Sequence, residues 1–285
     1  MPAIHHDRVF ELNFGTTGYC HAACTFCVYP SKENQALPKG HMKMALFKKI
    51  IDEAATIPQI DVLVYSGLSE TLLDPFFTER VAYAHQTNPK WRQELYTTGV
   101  LLTPEKFEEL KAAGLTGVCI SLNSVNASQH EAIMGLHNKF DTVCSNIEYA
   151  IAYKGNMHVD VRAVYTQDSF TMDDVLAFYK RWGHASLGGY GKVNQEMNWA
   201  NQLGRTIVPF DPNEACIRAL GRITVYWDGH VPLCCLDLMV KYPFGDLNTQ
   251  TLREVYNSDK YTTFREWHRD NQAAKHPACA VCTRA

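Results

Sequence analysis

The chain has 285 residues, 46% hydrophobic and 20% charged, and its 27 Lys and Arg against 30 Asp and Glu leave a net charge of −3. That balance excludes the disordered and fibrous classes and supplies enough chain for one large core. With no long block of like charges, it disfavours, without forbidding, duplex DNA binding. No apolar run reaches the roughly 18 residues of a membrane span, and the opening MPAIHHDR lacks the basic-then-apolar pattern of a signal peptide. A cytoplasmic protein without a membrane partner is the expectation.

The first predicted strand is the alternating segment VFELNF (9–14), after which Gly15 and Gly18 turn the chain into a loop containing CHAACTFC (20–27). Further strand-like runs are IDVLVYS (60–66), ELYTT (94–98), GVCISLN (117–123), HVDVRAVY (158–165) and, more weakly, ASLGGYGKV (185–193). Between them lie the amphipathic stretches MALFKKIIDEA (44–54), DPFFTERVAYAHQ (74–86), TPEKFEELKAAG (103–114), FDTVCSNIEYAIAY (140–153) and TMDDVLAFYKRWG (171–183). Thr103 and Pro104 open the third of these and Gly114 closes it, while Thr171 and Asp174 form a capping box for the fifth. This alternation predicts an α/β fold with a parallel sheet and helices outside it, because parallel strands need crossover connections. Pattern alone does not separate a partial (β/α)6 barrel from a doubly wound sheet. The polar, aromatic segment 188–205 reads equally as a pocket lining or as a linker.

The ten cysteines fall at 20, 24, 27, 119, 144, 216, 234, 235, 279 and 282. Without an export signal, clustered thiols more often ligate metals than form disulfides. The C-x3-C-x2-C spacing of Cys20, Cys24 and Cys27 lets one short loop present three thiolates to the iron corners of a cubane, leaving a fourth iron open to a chelating ligand. Near the C-terminus, VYWDGHVPL (225–233) is a hairpin signal around Asp228 and Gly229 that would bring Cys216 close to Cys234. Cys279 and Cys282 then complete four thiolates with no open position, a set that by spacing alone suits zinc or an iron-sulfur cluster.

CHAACTFC, with Phe26 before the third cysteine, resembles the cluster motif of the radical S-adenosylmethionine (SAM) superfamily. The resemblance implies a partial (β/α)6 barrel whose open iron binds SAM. It extends to SGLSETLLDP (66–75), where Gly67 and Glu70 hold their places in a loop contacting the SAM amino group, although Ser69 stands where glycine is usual. It continues at TTGVLL (97–102), with Thr98 for the usual asparagine, and at ISLNS (120–124), where Ser121 takes the place of a SAM contact. Arg162 is a candidate partner for the SAM carboxylate, with a structural salt bridge as the equal alternative. Phe26, Gly67, Glu70, Ser121 and Arg162 are therefore the expected cofactor contacts.

The C-x12-G-x4-C pattern from Cys216, the following CCLD, the stretch GDLNTQTLREVYNSDKY and the final C-x2-C resemble the SPASM/twitch extension of the same superfamily. That implies residues 1–205 as the barrel and 206–285 as a small hairpin-plus-helix domain holding one auxiliary [4Fe-4S] cluster. Two [4Fe-4S] clusters and SAM are the expected cofactors, with a reductase or flavodoxin-type protein as electron donor. The chemistry implied is hydrogen abstraction from a substrate carbon by a 5′-deoxyadenosyl radical. Two fates fit. Oxidation of a sugar or aminoglycoside-type alcohol, with the auxiliary cluster accepting an electron, is slightly favoured. A redox-neutral isomerase or epimerase acting on a nucleotide, nucleobase, sugar or amino acid would instead return hydrogen, with Cys119 or Cys235 as donor. Peptide modification carries less weight, because few residues precede the first strand, and a zinc-binding interaction protein is the non-enzymatic alternative.

Overall fold

The computed structural model describes residues 11–165, 171–183, 189–195, 202 and 215–282. Seven strands form one parallel sheet: β1 (Glu11–Gly15), β2 (Val62–Tyr65), β3 (Arg92–Thr97), β4 (Gly117–Ser121), β5 (His158–Tyr165), β6 (Gly189–Gln195) and β7 (Arg222–Tyr226). Their order is β6-β5-β4-β3-β2-β1-β7, open at both ends. The expected partial barrel of six strands is present, and a seventh strand from the C-terminal region lies parallel beside β1, with Glu11 opposite Arg222 and Gly15 opposite Tyr226.

The expected hairpin forms differently. The chain turns after Tyr226, with Gly229 at φ +94°, into the two-residue β8 (His230–Val231), but β8 pairs antiparallel with β9 (Gly245–Asp246). Strand β7 gives its ladder to β1. Asp228–Gly229 encodes the turn, while the ladder partner is set by β1, some 200 residues earlier in the chain.

The longer helices pack outside the sheet. After α1 (Lys32–Gln35) come α2 (Met44–Ala54), α3 (Phe77–Thr87), α4 (Pro104–Ala113), α5 (Ala127–Met134), α6 (Phe140–Tyr153) and α7 (Met172–Trp182). Thr103 caps α4 by accepting from Lys106 N–H, and Gly114 ends it in the left-handed conformation; Thr171 and Asp174 form the expected capping box of α7. The C-terminal region adds α8 (Ile217–Gly221), α9 (Leu252–Tyr256), α10 (Asp259–Arg269) and α11 (Pro277–Ala280). The boundary expected at 205/206 lies outside the described residues.

Strand period two sorts the sheet's side chains into two faces. Leu12, Phe14, Leu63, Leu95, Ile120 and Val161 belong to the core against the helices. The registers put Glu11, Asn13, Glu94, Cys119, Asp160, Arg162 and Arg222 on the opposite, concave face. Burying so many polar groups is costly unless they are paired. The chain meets that demand with Arg222 against Glu11 at 2.6 Å and Arg162 against Asp160 at 3.0 Å. Among the described residues no helix is long and apolar enough to cross a membrane.

Candidate active site

The three-cysteine loop leaves the carboxyl end of β1, the end where barrel folds assemble their chemistry. It is closed at its base by the Thr17–His41 bridge and by Gly18 N–H donating to Gly40 O at 2.8 Å. Its far side is pinned to the end of α5, where Ala23 and Thr25 N–H donate to Met134 O and Ile133 O, each at 2.9 Å.

Inside this frame Cys20 Sγ accepts from Ala22 N–H and Cys27 Sγ from Tyr29 N–H, both at 3.4 Å. Cys24 Sγ lies 3.4 Å from Met134 Sδ. Burial pushes the Cys20 thiol up to about 12, reinforced by the Glu70 and Cys27 charges, and the Cys27 thiol up to about 11. Cys24 is raised by burial and then by Cys27 and Cys20. Three thiols that feel one another, with backbone N–H groups aimed at sulfur, fit an iron-sulfur cluster, whose thiolates are stabilised by such bonds. Loading it must release protons. Among the described residues no three His, Cys, Asp or Glu side chains converge on a single-ion position; in a cubane each thiolate takes a separate iron, so its donors need not.

Glu70, 1% exposed, is the strut of the neighbouring loop. Its carboxylate accepts from Thr97 Oγ1 at 2.7 Å and from Thr98 N–H at 2.6 Å, and its own N–H donates to Tyr19 O beside Cys20. Thr98, standing in the asparagine position, contacts the three-cysteine loop through His21 Nε2 at 2.9 Å. At Gly67 the chain passes so close to β1 that a Cβ would meet Gly15 Cα at 3.1 Å. The Ser69 hydroxyl oxygen is buried without a hydrogen-bond partner.

Ser121 ends β4 opposite Arg162 of β5. Arg162 is salt-bridged to Asp160 and lies over the Tyr96 ring at 5.1 Å, while its Nε is buried without a hydrogen-bond partner. Burial opposes its charge, but Cys119, Tyr96 and Asp160 together raise its pKa. The salt-bridge alternative is thus present in the structure, with Nε the nitrogen left over. Phe26 is 8% exposed within the main core. Asn123, not singled out in the sequence, adopts φ +54° and accepts from Val164 N–H through Oδ1 at 2.9 Å, locking the end of β4 to β5.

In the C-terminal group, Cys234 is raised by burial first and then by the neighbouring charges of Cys235, Cys216 and Cys279. Cys279 and Cys282 are joined by Cys282 N–H donating to Cys279 O. Asp237, fully buried, organises the loop after Cys234 and Cys235: its carboxylate accepts from Lys241 N–H at 2.8 Å and Tyr242 N–H at 3.0 Å. Cys235 is turned toward the barrel, where Arg222 Nη1 approaches its Sγ at 3.3 Å. Arg222 thereby touches both Glu11 of β1 and Cys235.

His268 has a special place. Its Nδ1 accepts from Cys216 N–H at 3.4 Å, and its Nε2 lies 3.7 Å from Cys279 Sγ. Neither Arg222 nor His268 carries a spacing signal, because their partners are assembled only by the fold.

Where the segment 17–39 faces the segment 226–243 opens a cavity of about 500 Å³, lined by Thr17, Gly18, Leu68, Tyr226, Trp227 and Met239 among others. The Tyr226 hydroxyl is buried there without a hydrogen-bond partner.

An open parallel barrel with a three-cysteine loop at a strand end, followed by a second cysteine-rich module, defines an iron-sulfur enzyme architecture. Residues 15–172 match the radical SAM superfamily, and the chain belongs to it. Residues 216–283 match the SPASM iron-sulfur cluster-binding domain. The AdoMet-dependent heme synthase of Methanosarcina barkeri is 33% identical over 132 residues, which is 46% of this chain but only 36% of that protein. The S-adenosyl-L-methionine-dependent 2-deoxy-scyllo-inosamine dehydrogenase of Niallia circulans is 20% identical over 277 residues, covering 97% of this chain and 94% of that one. Among solved structures, BtrN in complex with AdoMet and 2-DOIA superposes with a TM-score of 0.68 at 17% identity, covering 98% of this chain and 95% of that chain.

Proposed function

We propose that this radical SAM enzyme oxidises an alcohol carbon of a polar, ring-shaped small molecule of the sugar or aminocyclitol class. The observation that carries the reading is the end-to-end correspondence, 97% of this chain against 94% of the other, with a dehydrogenase of an aminocyclitol. Cys20, Cys24 and Cys27 would hold the first [4Fe-4S] cluster and Cys216, Cys234, Cys279 and Cys282 the auxiliary one. Phe26, Gly67, Glu70, Ser121 and Arg162 would form the SAM site. With SAM bound, the first cluster supplies a 5′-deoxyadenosyl radical, and the auxiliary cluster offers a one-electron acceptor.

The chain's own residues do the positioning. The cavity at the seam between the modules receives the substrate, with apolar walls and a few polar groups, as small-molecule sites require. Removal of hydrogen from a carbinol carbon, followed by loss of one proton and one electron, leaves a ketone. A reductase or flavodoxin-type donor in a reducing cytoplasm would prime the first cluster.

A second reading is redox-neutral isomerisation or epimerisation, favoured by one observation: Cys119 lies on the concave face beside Arg162 and Tyr96, where a thiol could return hydrogen. Anaerobically reconstituted enzyme, incubated with dithionite, SAM and 2-deoxy-scyllo-inosamine in deuterated buffer, separates the two. Oxidation predicts ketone formed one-for-one with 5′-deoxyadenosine. Deuterium incorporated at an unoxidised carbon would replace this reading with the second, and cleavage of SAM with no change in the cyclitol would remove the aminocyclitol class.

A further inference from the structure

The buried face of α10 presents His268 to the C-terminal cysteine group. The residue is 1% exposed and held by Phe264, whose ring meets the imidazole edge-on at 4.7 Å between centroids. The N–H of Cys216 points at Nδ1, and a backbone N–H can only donate, so Nδ1 must be the lone-pair nitrogen. The ring proton therefore sits on Nε2, the nitrogen 3.7 Å from Cys279 Sγ. One ring thus ties the first cysteine of the group to the third, 63 positions apart, and aims an N–H at sulfur.

The geometry points to His268 as a positioning residue that sets the potential of the auxiliary cluster by donating Nε2–H to the Cys279 thiolate. The inference rests on the iron-sulfur reading of this group and goes beyond it. Reduction adds negative charge to a cluster and its thiolates, so a hydrogen bond to a ligating sulfur strengthens on reduction and raises the potential. Burial amplifies the effect, because a hydrogen bond is electrostatically stronger at low local dielectric. For an acceptor of the substrate's electron, a raised potential is the useful direction. His268 also restrains Cys216, whose N–H would otherwise lack this acceptor at the N-cap of α8.

The test is an EPR-monitored redox titration of both couples in the holoenzyme. His268→Phe keeps the ring volume and removes the donor. It should lower the auxiliary couple by about tenfold in its reduction equilibrium, ~59 mV for one electron, and leave the first couple unmoved. His268→Gln, which retains an N–H at a similar reach, should recover at least half of the shift. An unmoved auxiliary potential in His268→Phe with a full cluster overturns the proposal, as does equal loss in both variants.

Pulsed EPR of the wild-type holoenzyme decides independently of folding in the variants. Weak imidazole ¹⁴N coupling at the reduced auxiliary cluster is expected. Strong ¹⁴N coupling, which would make His268 a ligand, or no coupling at all overturns it. Zinc at this group would instead overturn the iron-sulfur reading, and metal analysis separates that failure from the others.

Discussion

Trp227 lies against Gly40 so closely that a Cβ on the glycine would come within 2.5 Å of Cζ3 of the indole. The same ring crowds Gly18, where a Cβ would meet Nε1 at 2.8 Å. Gly18 and Gly40 are hydrogen-bonded to each other at the base of the three-cysteine loop. A single tryptophan from the turn after β7 thus seats the C-terminal module on the hinge of the three-cysteine loop.

Gly40→Ala should therefore act on the cluster rather than only on stability. Overpacking against a rigid ring costs about 1–3 kcal/mol, and Trp227 must yield or the loop base must open. Near-UV circular dichroism should change in the tryptophan region, and iron retained after anaerobic gel filtration should fall. Trp227→Leu, which clears the space, should restore iron binding in the double variant. Full iron retention in Gly40→Ala alone would detach the docking from cluster binding.

A different kind of constraint holds α3. Arg80 and Asp74 are both fully buried, with Nε to Oδ2 at 2.7 Å, and the guanidinium also donates to Met42 O and lies over the Phe47 ring. Removing one partner from such a pair strands the other charge, at about 3–5 kcal/mol. Asp74→Ala should lower the urea midpoint accordingly. The Asp74→Leu, Arg80→Met double variant should be more stable than Asp74→Ala, because it buries no lone charge. Equal midpoints for all three would mean the pair contributes nothing to stability.

Much of this organisation is written locally in the chain, and some is not. The helices α2 and α6 coincide with the amphipathic stretches that predict them, and Thr103, Gly114 and Thr171 cap as their chemistry dictates. Cys20, Cys24 and Cys27 announce themselves as a group because one short loop carries them. Strand β7 escapes such reading: VYWDGHVPL (225–233) reads as a hairpin, and the parallel partner of β7, β1, lies some 200 positions away. Glu70 shows its place in the loop but not its use, since Thr97 and Thr98 reach its carboxylate only when β2 and β3 are side by side. His268 escapes for the same reason, its partners lying 52 and 11 positions away.

Acid should loosen the fold through its buried histidines. His130 is fully buried, its Nδ1 lying 3.0 Å from Leu122 O and 3.1 Å from Ser124 Oγ, and burial lowers its pKa below 6.5. His276 is lowered by burial as well. A depressed folded-state value means the unfolded chain binds the proton more readily. The stability these residues contribute is present above 6.5 and lost as pH falls toward the folded values. Urea midpoints measured from pH 7.5 down to pH 5 should fall, and His130→Gln should flatten the slope. An unchanged slope in His130→Gln would place the acid sensitivity elsewhere.

The two cysteine groups should separate cleanly in metal content, because they sit on different elements with different tethers. The first hangs on the loop between β1 and α1, pinned to α5. The second joins the start of α8, the turn before Asp237 and α11. Alanine at Cys20, Cys24 or Cys27 should remove roughly four irons and abolish reductive cleavage of SAM. Alanine at Cys216, Cys234, Cys279 or Cys282 should remove a similar share and leave the first cluster's EPR signal and SAM cleavage in place. Cys235→Ala is the control for the second group. Its sulfur faces Arg222, and with Cys234 as the proposed ligand iron should stay at the wild-type level. If Cys235→Ala loses iron while Cys234→Ala retains it, the ligand assignment between the two adjacent residues is reversed, and Arg222 would then face a cluster thiolate directly.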